Sequence, residues 1–129
     1  METLSIAATN SSPQVALEPD TGRMRLSGES YPENAFAFYR PIFDWLRRFL
    51  REDETGIQLE LSLSYLNTGS IKCLMDILDQ LDDAHRNGRQ VKVTWFYDAD
   101  NHRALEMAED FGEDLSLPFD IVPLPESRP

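Results

Sequence analysis

The sequence predicts one α/β domain, a sandwich built on a mixed sheet with an antiparallel hairpin at its N-terminal end. Residues 58–66 and 90–97 alternate apolar and polar side chains, which is typical of strands that pack one face against a core. Two other stretches, from residue 35 and from residue 71, repeat apolar residues at helical spacing. Strands separated by helices favour parallel neighbours with right-handed crossovers, so the expected order is β-β-β-α-β-α-β-α-β. One domain is expected over residues 1–129, with an ordered core from about residue 3 to residue 124.

Three short strands are expected before the first helix, at residues 3–8, 14–18 and 23–27. Leu4 and Ile6 share one face of the first strand. Residues 19–22 read Pro-Asp-Thr-Gly, a good turn, because proline presets its φ angle and glycine accepts a positive one. The second and third strands should therefore form the hairpin.

The first helix is expected to begin near Pro32, since proline is well tolerated at the first helical position. Pro41 lies inside the helical pattern and should kink the helix or split it after Tyr39. Three arginines near the C-terminal end suit the helix dipole. They usually indicate a solvated helix end, but they could also form a local basic site for an acidic partner. The apolar stripe of this helix consists of Ala35, Phe38, Ile42, Trp45, Leu46 and Phe49.

The centre of the chain reads as strand, turn and helix. In the strand, the apolar face is predicted to carry Leu59, Leu61, Leu63 and Tyr65. The helix should run to about Arg86 and end at an Asn-Gly pair. Its apolar face is expected to contain Ile71, Leu74, Met75, Leu78 and Leu81, with Cys73 in or near the core and Asp76, Asp79, Asp82 and Asp83 on the outer side.

Residues 67–70, Asn-Thr-Gly-Ser, form the turn before this helix. The first turn of a helix has unpaired N–H groups and partial positive charge, so a hydroxyl there can cap the helix or carry a phosphate. Capping by Thr68 or Ser70, worth about 1 kcal/mol, is the simpler interpretation. Gly69 adds no side chain that would obstruct a partner. From these residues alone, both interpretations stay open.

The last third of the chain is predicted to hold a strand at 90–97, a helix capped by residues 98–101 (Asp-Ala-Asp-Asn), and a strand at 117–122. In the strand, Val91, Val93, Trp95 and Tyr97 should share one face; in the helix, Leu105, Met107 and Ala108 should point inward. Pro123 and Pro125 are expected to end the ordered part. Nine acidic and two basic residues follow residue 97. Such a run is usually just a solvated face, but it could steer a basic partner.

The charge balance limits the possible partners. The formal net charge is −11 at pH 7, and the isoelectric point is near 4.4. Such a surface repels nucleic acid and anionic membranes, so neither nucleic-acid binding nor membrane insertion is expected. The start of the chain lacks the pattern of a signal peptide, and no apolar stretch has membrane-spanning length. With a single cysteine, no internal disulfide can form, and a cytoplasmic location is expected.

No residue pattern in the sequence specifies catalysis. His85 and His102 are the only histidines, and with one cysteine they lack the spacing of a zinc site. Phosphate-loop, dinucleotide-binding and nucleophile-elbow motifs are absent from the sequence. No catalytic residue, metal site or cofactor is therefore predicted.

Several segments together resemble the SiaC family: residues 30–35 (Ser-Tyr-Pro-Glu-Asn-Ala), 65–72 (Tyr-Leu-Asn-Thr-Gly-Ser-Ile-Lys) and 91–98 (Val-Lys-Val-Thr-Trp-Phe-Tyr-Asp), with 109–111 and 117–119. The resemblance implies a STAS-like fold and a switch protein rather than an enzyme, with the logic of anti-anti-sigma factors. It implies that a kinase phosphorylates a hydroxyl at the start of a helix and that a PP2C-type phosphatase removes the phosphate. It also implies that the unphosphorylated form binds and activates a GGDEF diguanylate cyclase, raising cyclic di-GMP and promoting aggregation and biofilm.

On this sequence, the resemblance places the phosphate on Thr68. A phosphate adds about −1.5 to −2 charges, and the bulk and charge of the phosphate would oppose a docked partner. Asn67, Gly69, Ser70 and Lys72 are expected partner contacts because they adjoin Thr68. Two other functions remain open from the sequence: an anti-anti-sigma factor that sequesters an anti-sigma kinase, and a small cation-dependent enzyme that uses the acidic C-terminal residues.

Overall fold

A six-stranded mixed sheet carries three helices in the computed structural model, which describes residues 1–124. The strands lie side by side in chain order: β1 (Leu4–Ile6), β2 (Gln14–Glu18), β3 (Arg23–Ser30), β4 (Ile57–Leu66), β5 (Val91–Asp98) and β6 (Phe119–Leu124). Neighbours are antiparallel from β1 to β3 and parallel from β3 to β6. The predicted fold class, hairpin and element order are confirmed.

Each helix follows one of the parallel strands and begins after an asparagine cap. The helices are α1 (Ala35–Glu52), α2 (Thr68–Arg86) and α3 (His102–Gly112). In all three, the side-chain oxygen of the cap accepts a hydrogen bond from the backbone N–H three residues later, which pairs one of the free N–H groups of the first turn. The caps are Asn34, Asn67 and Asn101. No helix within residues 1–124 is long and apolar enough to cross a bilayer.

The helix α1 runs without a break through Pro41, so of the two predicted alternatives the split after Tyr39 is wrong, while a kink stays a prediction. Pro41 cannot donate to the carbonyl of Ala37, four residues earlier. Both residues are exposed, so water can reach the carbonyl that lacks its usual partner. The helix therefore tolerates proline on its solvent side. Its buried stripe also includes Tyr39, which the sequence analysis did not place in the core.

The core lies between the helices and one face of the sheet. Side chains on that face are buried, whereas those on the opposite face stay half-buried or exposed along every central strand. Trp95, Tyr39 and Phe49 are the largest fully buried side chains. Arg23 and Arg25 both pair with Glu60 at 3.3 Å across the uncovered face. The single core explains why the apolar alternation in β4 and β5 was such a clear signal.

The alternation fails at one place in β4. Gly28 of β3 is opposite Leu63, but the next residue, Glu29, is opposite Tyr65, so Ser64 is an extra residue in the ladder. A bulge of this kind reverses the faces of the residues that follow it. Tyr65 is consequently 48% exposed and Leu66 is buried, opposite to the prediction for Tyr65.

Two further predictions are wrong. Met75 is 50% exposed, because the buried face of α2 is formed instead by Cys73, Leu74, Ile77, Leu78 and Leu81. Pro123 does not end the ordered part, since it lies in β6, opposite Tyr97. Proline is tolerated there because β6 is the edge strand of the sheet. Pro125 lies outside the described residues.

Asp82, predicted on the outer side of α2, is buried with 4% of its surface exposed. One carboxylate oxygen accepts hydrogen bonds from the N–H groups of Ser116 and Leu117, both at 2.9 Å. The other lies 2.8 Å from the Arg86 guanidinium. Burial alone would raise the pKa of Asp82, but the hydrogen bonds from Leu117 and Ser116 outweigh it and lower the pKa. Asp82 thus holds the segment before β6 against α2.

Candidate functional site

The turn between β4 and α2 is fixed by Asn67. Its side-chain oxygen accepts from the N–H of Ser70 at 2.9 Å, and its amide nitrogen donates to the carbonyl of Pro32 at 3.1 Å. Its backbone N–H donates to the carbonyl of Ser30 at 2.9 Å. The cap is therefore Asn67, and the prediction that Thr68 or Ser70 caps the helix is wrong. An asparagine suits this position as well as a hydroxyl residue does.

The two hydroxyl residues of the turn differ in their access to solvent. Thr68 is the first residue of α2 and is exposed. Ser70 is completely buried, and its hydroxyl hydrogen-bonds with that of Ser30 at 2.8 Å. Ser30 in turn hydrogen-bonds with the hydroxyl of Tyr39, also at 2.8 Å. A kinase could reach Thr68 without unfolding the turn, whereas Ser70 is inaccessible to a kinase and to a partner.

The buried hydroxyls form a chain that joins β3, α1 and α2. Burial raises the pKa of Tyr39, so its phenol stays protonated and can serve as a donor. Because Ser30, Tyr39 and Ser70 satisfy one another, the start of α2 is held rigidly on the core. Ser70 therefore supports the turn from inside, which is a different role from the direct contact expected from its position beside Thr68.

Gly69 also faces inward. A Cβ atom built on it would lie 3.0 Å from the Cβ of Ala35, tighter than ordinary contact. The missing side chain lets the first turns of α1 and α2 approach closely. Gly69 was expected to leave space for a partner, but the space serves the packing of the two helices. The other two expected contacts, Lys72 and Asn67, differ in exposure. Lys72 is exposed on α2, four residues after Thr68. Asn67 is half-buried, and its side chain already makes the two hydrogen bonds that fix the turn.

An exposed aromatic pair lies beside this turn. The rings of Tyr31 and Tyr65 meet edge to face, with centroids 5.9 Å apart, and are 40% and 48% exposed. Tyr31 belongs to the loop before α1, and the bulge in β4 turns Tyr65 outward two residues before the helix cap. Neither tyrosine was predicted to be a surface contact, and Tyr65 was expected on the apolar face of its strand. The signal available was Gly28 inside a strand, which often marks a bulge.

The chemistry for catalysis is sparse in the described region. Burial, followed by the charge of Asp76, raises the pKa of Cys73, which makes its thiol less reactive. Within residues 1–124, no three histidine, cysteine or acidic side chains are close enough together to hold a metal ion. The turn, with its exposed threonine and the exposed aromatic pair beside it, is the candidate functional site.

The chain is similar to known proteins over nearly its whole length. Residues 6–124 match the model of a family described as the SiaC family regulatory phosphoprotein. A protein of Pseudomonas aeruginosa strain UCBPP-PA14 is 46% identical over 121 residues, which is 94% of this chain and 96% of that protein.

Solved structures agree with that match. The structure of SiaC of P. aeruginosa superposes with a TM-score of 0.91 at 44% identity, covering 96% of this chain and all of that one. A second structure shows the diguanylate cyclase SiaD of P. aeruginosa in complex with its activator SiaC. This chain is similar to a chain of that complex, with a TM-score of 0.91 and 45% identity over 94% of this chain and 99% of that chain. The chain described here belongs to the SiaC family of regulatory phosphoproteins.

Proposed function

We propose that this protein is a phosphorylation-controlled partner-switching regulator. Its unphosphorylated form binds and activates a GGDEF diguanylate cyclase, which raises cyclic di-GMP and promotes aggregation and biofilm. A kinase phosphorylates Thr68 and ends the interaction, and a PP2C-type phosphatase restores it. One observation carries the proposal: Thr68 has the only exposed hydroxyl of the turn, and the chain belongs to a family of regulatory phosphoproteins. A relative in that family activates a diguanylate cyclase.

The surroundings of Thr68 suit a switch that works by contact. Exposed tyrosines are common anchors of protein interfaces, and Tyr31 and Tyr65 lie just before the helix that Thr68 begins. A phosphate on Thr68 would bring about −1.5 to −2 charges to this surface. A partner that covers the tyrosines would have to remove water from that dianion, which disfavours binding. Lys72, one turn further on, could pair with the phosphate and hold it on the surface.

This function needs binding rather than catalysis by the protein itself. An exposed threonine at the first helical position is open to the kinase and to the phosphatase alike, while the rigid turn beneath it keeps its shape. We place the switch in the cytoplasm, where a diguanylate cyclase finds its GTP.

The experiment compares Thr68→Ala and Thr68→Asp with the wild-type protein, using the P. aeruginosa cyclase SiaD as the binding partner. Thr68→Ala should bind and activate the cyclase but take no phosphate in cells, as followed by phosphopeptide mass spectrometry. Thr68→Asp should bind at least about tenfold more weakly, or about 1.4 kcal/mol. Thr21→Asp, at another exposed threonine, is the matched control and should bind as wild type does. Equal binding by Thr68→Asp and wild type, or phosphate on Thr68→Ala at another site of the turn, would refute the assignment.

A further inference from the structure

The sheet opens between β4 and β5 on the face that no helix covers. The pairing of the two strands ends at Leu61, opposite Trp95, although both strands continue beyond this point. A cavity of about 450 Å³ lies at the opening, within the size range of small-ligand sites. Ser62 and Phe96, the first residues beyond the paired segment, both line the cavity. In open α/β sheets, crevices near the carboxyl ends of parallel strands are the usual places for a ligand.

One end of this cavity carries an excess of positive charge. Arg23 and Arg25 both lie 3.3 Å from the same carboxylate oxygen of Glu60, so two guanidinium groups share one carboxylate. Within residues 1–124, these three are the charged side chains that line the cavity, and their formal charges sum to +1. Glu18 is opposite Arg23 on β2, but it accepts a hydrogen bond from Thr21 and does not line the cavity. Both arginines are exposed and keep donors for an anion, which a guanidinium group can bind through two parallel hydrogen bonds.

The opposite end of the cavity is aromatic, and its middle carries hydroxyl groups. Phe96 is half-buried on β5. Ser27 and Ser62 are partners in register on β3 and β4 and lie side by side in the middle. Arg25 and Phe96 are separated by two strand spacings and by two residues along the strands, so their Cα atoms are roughly 12 Å apart. Guanidinium, hydroxyl and aromatic groups therefore follow one another over this distance.

We propose that this cavity binds a nucleoside phosphate. The phosphate lies at Arg23 and Arg25, and the base stacks on the ring of Phe96. The ribose hydroxyls lie over the two serines between them. The order of the groups favours this ligand, because guanidinium groups match phosphate and an aromatic ring can stack on any base. The inference goes beyond the proposed function, since it uses neither Thr68 nor the surface around it.

The formal charge of −11 does not oppose such a ligand. At physiological salt, charges more than about 8 Å away are largely screened. A small anion in the cavity therefore responds mainly to Arg23, Arg25 and Glu60, whose sum is positive. A nucleic acid or a membrane extends far beyond the cavity and meets the acidic surface as well, so both remain disfavoured.

Isothermal titration calorimetry on the full chain tests the proposal. GTP, ATP and cyclic di-GMP are titrated separately, together with pyrophosphate, which lacks the base, and guanosine, which lacks the phosphate. We expect saturable binding of at least one nucleotide with a Kd of about 100 µM, and at least about tenfold weaker binding of pyrophosphate and guanosine. No saturable binding of any nucleotide up to about 1 mM would overturn the proposal. Pyrophosphate that binds as tightly as the nucleotides would overturn it too, because the base would then contribute nothing.

Three variants test the role of each group. Arg25→Gln removes a phosphate donor and should weaken nucleotide binding at least about tenfold. Phe96→Leu keeps an apolar side chain but loses the ring, and it should weaken binding about fivefold. Glu60→Gln frees both guanidinium groups from their carboxylate, so it should strengthen binding about threefold.

Matched controls change the same residue types on α1, where Arg40 is exposed and Phe43 is half-buried. Arg40→Gln and Phe43→Leu should bind nucleotide within about twofold of the wild-type protein. Urea unfolding checks that each variant keeps its fold. If Arg25→Gln and Phe96→Leu bind as the wild-type protein does, if the controls lose binding equally, or if Glu60→Gln weakens binding, the nucleotide is not held by these groups and the proposal is overturned.

Discussion

Replacing Asn67 by alanine tests how the turn that presents Thr68 is held. The three helix caps provide a natural comparison, because each accepts one N–H group at 2.9–3.1 Å. Among the hydrogen bonds within residues 1–124, only the side-chain amide of Asn67 also donates, to the carbonyl of Pro32 at 3.1 Å. Loss of a cap costs about 1 kcal/mol, and loss of a further hydrogen bond costs about 1 kcal/mol. We therefore expect Asn67→Ala to lower the free energy of unfolding by about 2 kcal/mol, and Asn34→Ala and Asn101→Ala by about 1 kcal/mol each.

Urea unfolding followed by tryptophan fluorescence measures these differences. With an m value of about 2 kcal/mol/M, the midpoint should fall by roughly 1 M for Asn67→Ala and by roughly 0.5 M for the other two. Asn67→Asp keeps the accepting oxygen and loses the donor, so it should be destabilised by about 1 kcal/mol, whereas Asn34→Asp should be nearly neutral. If Asn67→Ala is no less stable than Asn34→Ala, the bond to Pro32 contributes nothing, and the explanation of the rigid turn is refuted.

Two further predictions concern a buried carboxylate and a turn glycine elsewhere in the domain. The folded state lowers the pKa of Asp82, so its contribution is present above the pKa of a free aspartate, near 4, and is lost as the pH falls through the folded-state pKa. Asp82→Asn should therefore reduce the free energy of unfolding by about 1–2 kcal/mol at pH 7 and by less at pH 3; an equal loss at both would contradict the role of the charge. Gly22 has φ of 74°, and an added Cβ atom would overlap the carbonyl oxygen of Gly56. Gly22→Ala should thus lower the free energy of unfolding by more than about 2 kcal/mol, as measured by thermal or urea unfolding. A decrease below about 0.5 kcal/mol would contradict the close approach of Gly22 to Gly56.

Much of this architecture was predictable because its signals are local. The alternation in β4 and β5, the helical spacing in α2, the Pro-Asp-Thr-Gly turn and the Asn-Gly end of α2 each involve a few neighbouring residues. Within such a window, periodicity and turn chemistry determine the backbone conformation. The position of Thr68 at the start of a helix is predictable for the same reason, since β4 and α2 both have clear patterns.

The sequence by itself therefore determined the element order, the hairpin, the acidic surface and the place of Thr68 at the start of a helix. Only the tertiary structure decided which side chains of that turn face solvent. Ser70 is buried because it meets Ser30, 40 residues earlier in the chain, and Tyr65 is exposed because Ser64 has no counterpart opposite it on β3. A groove between α2 and α3, lined by Ile71, Met75 and Phe111, likewise depends on how the two helices pack. A periodic pattern indicates that a face is apolar, but contacts between distant residues determine whether that face is covered, because burial is a property of the packed chain.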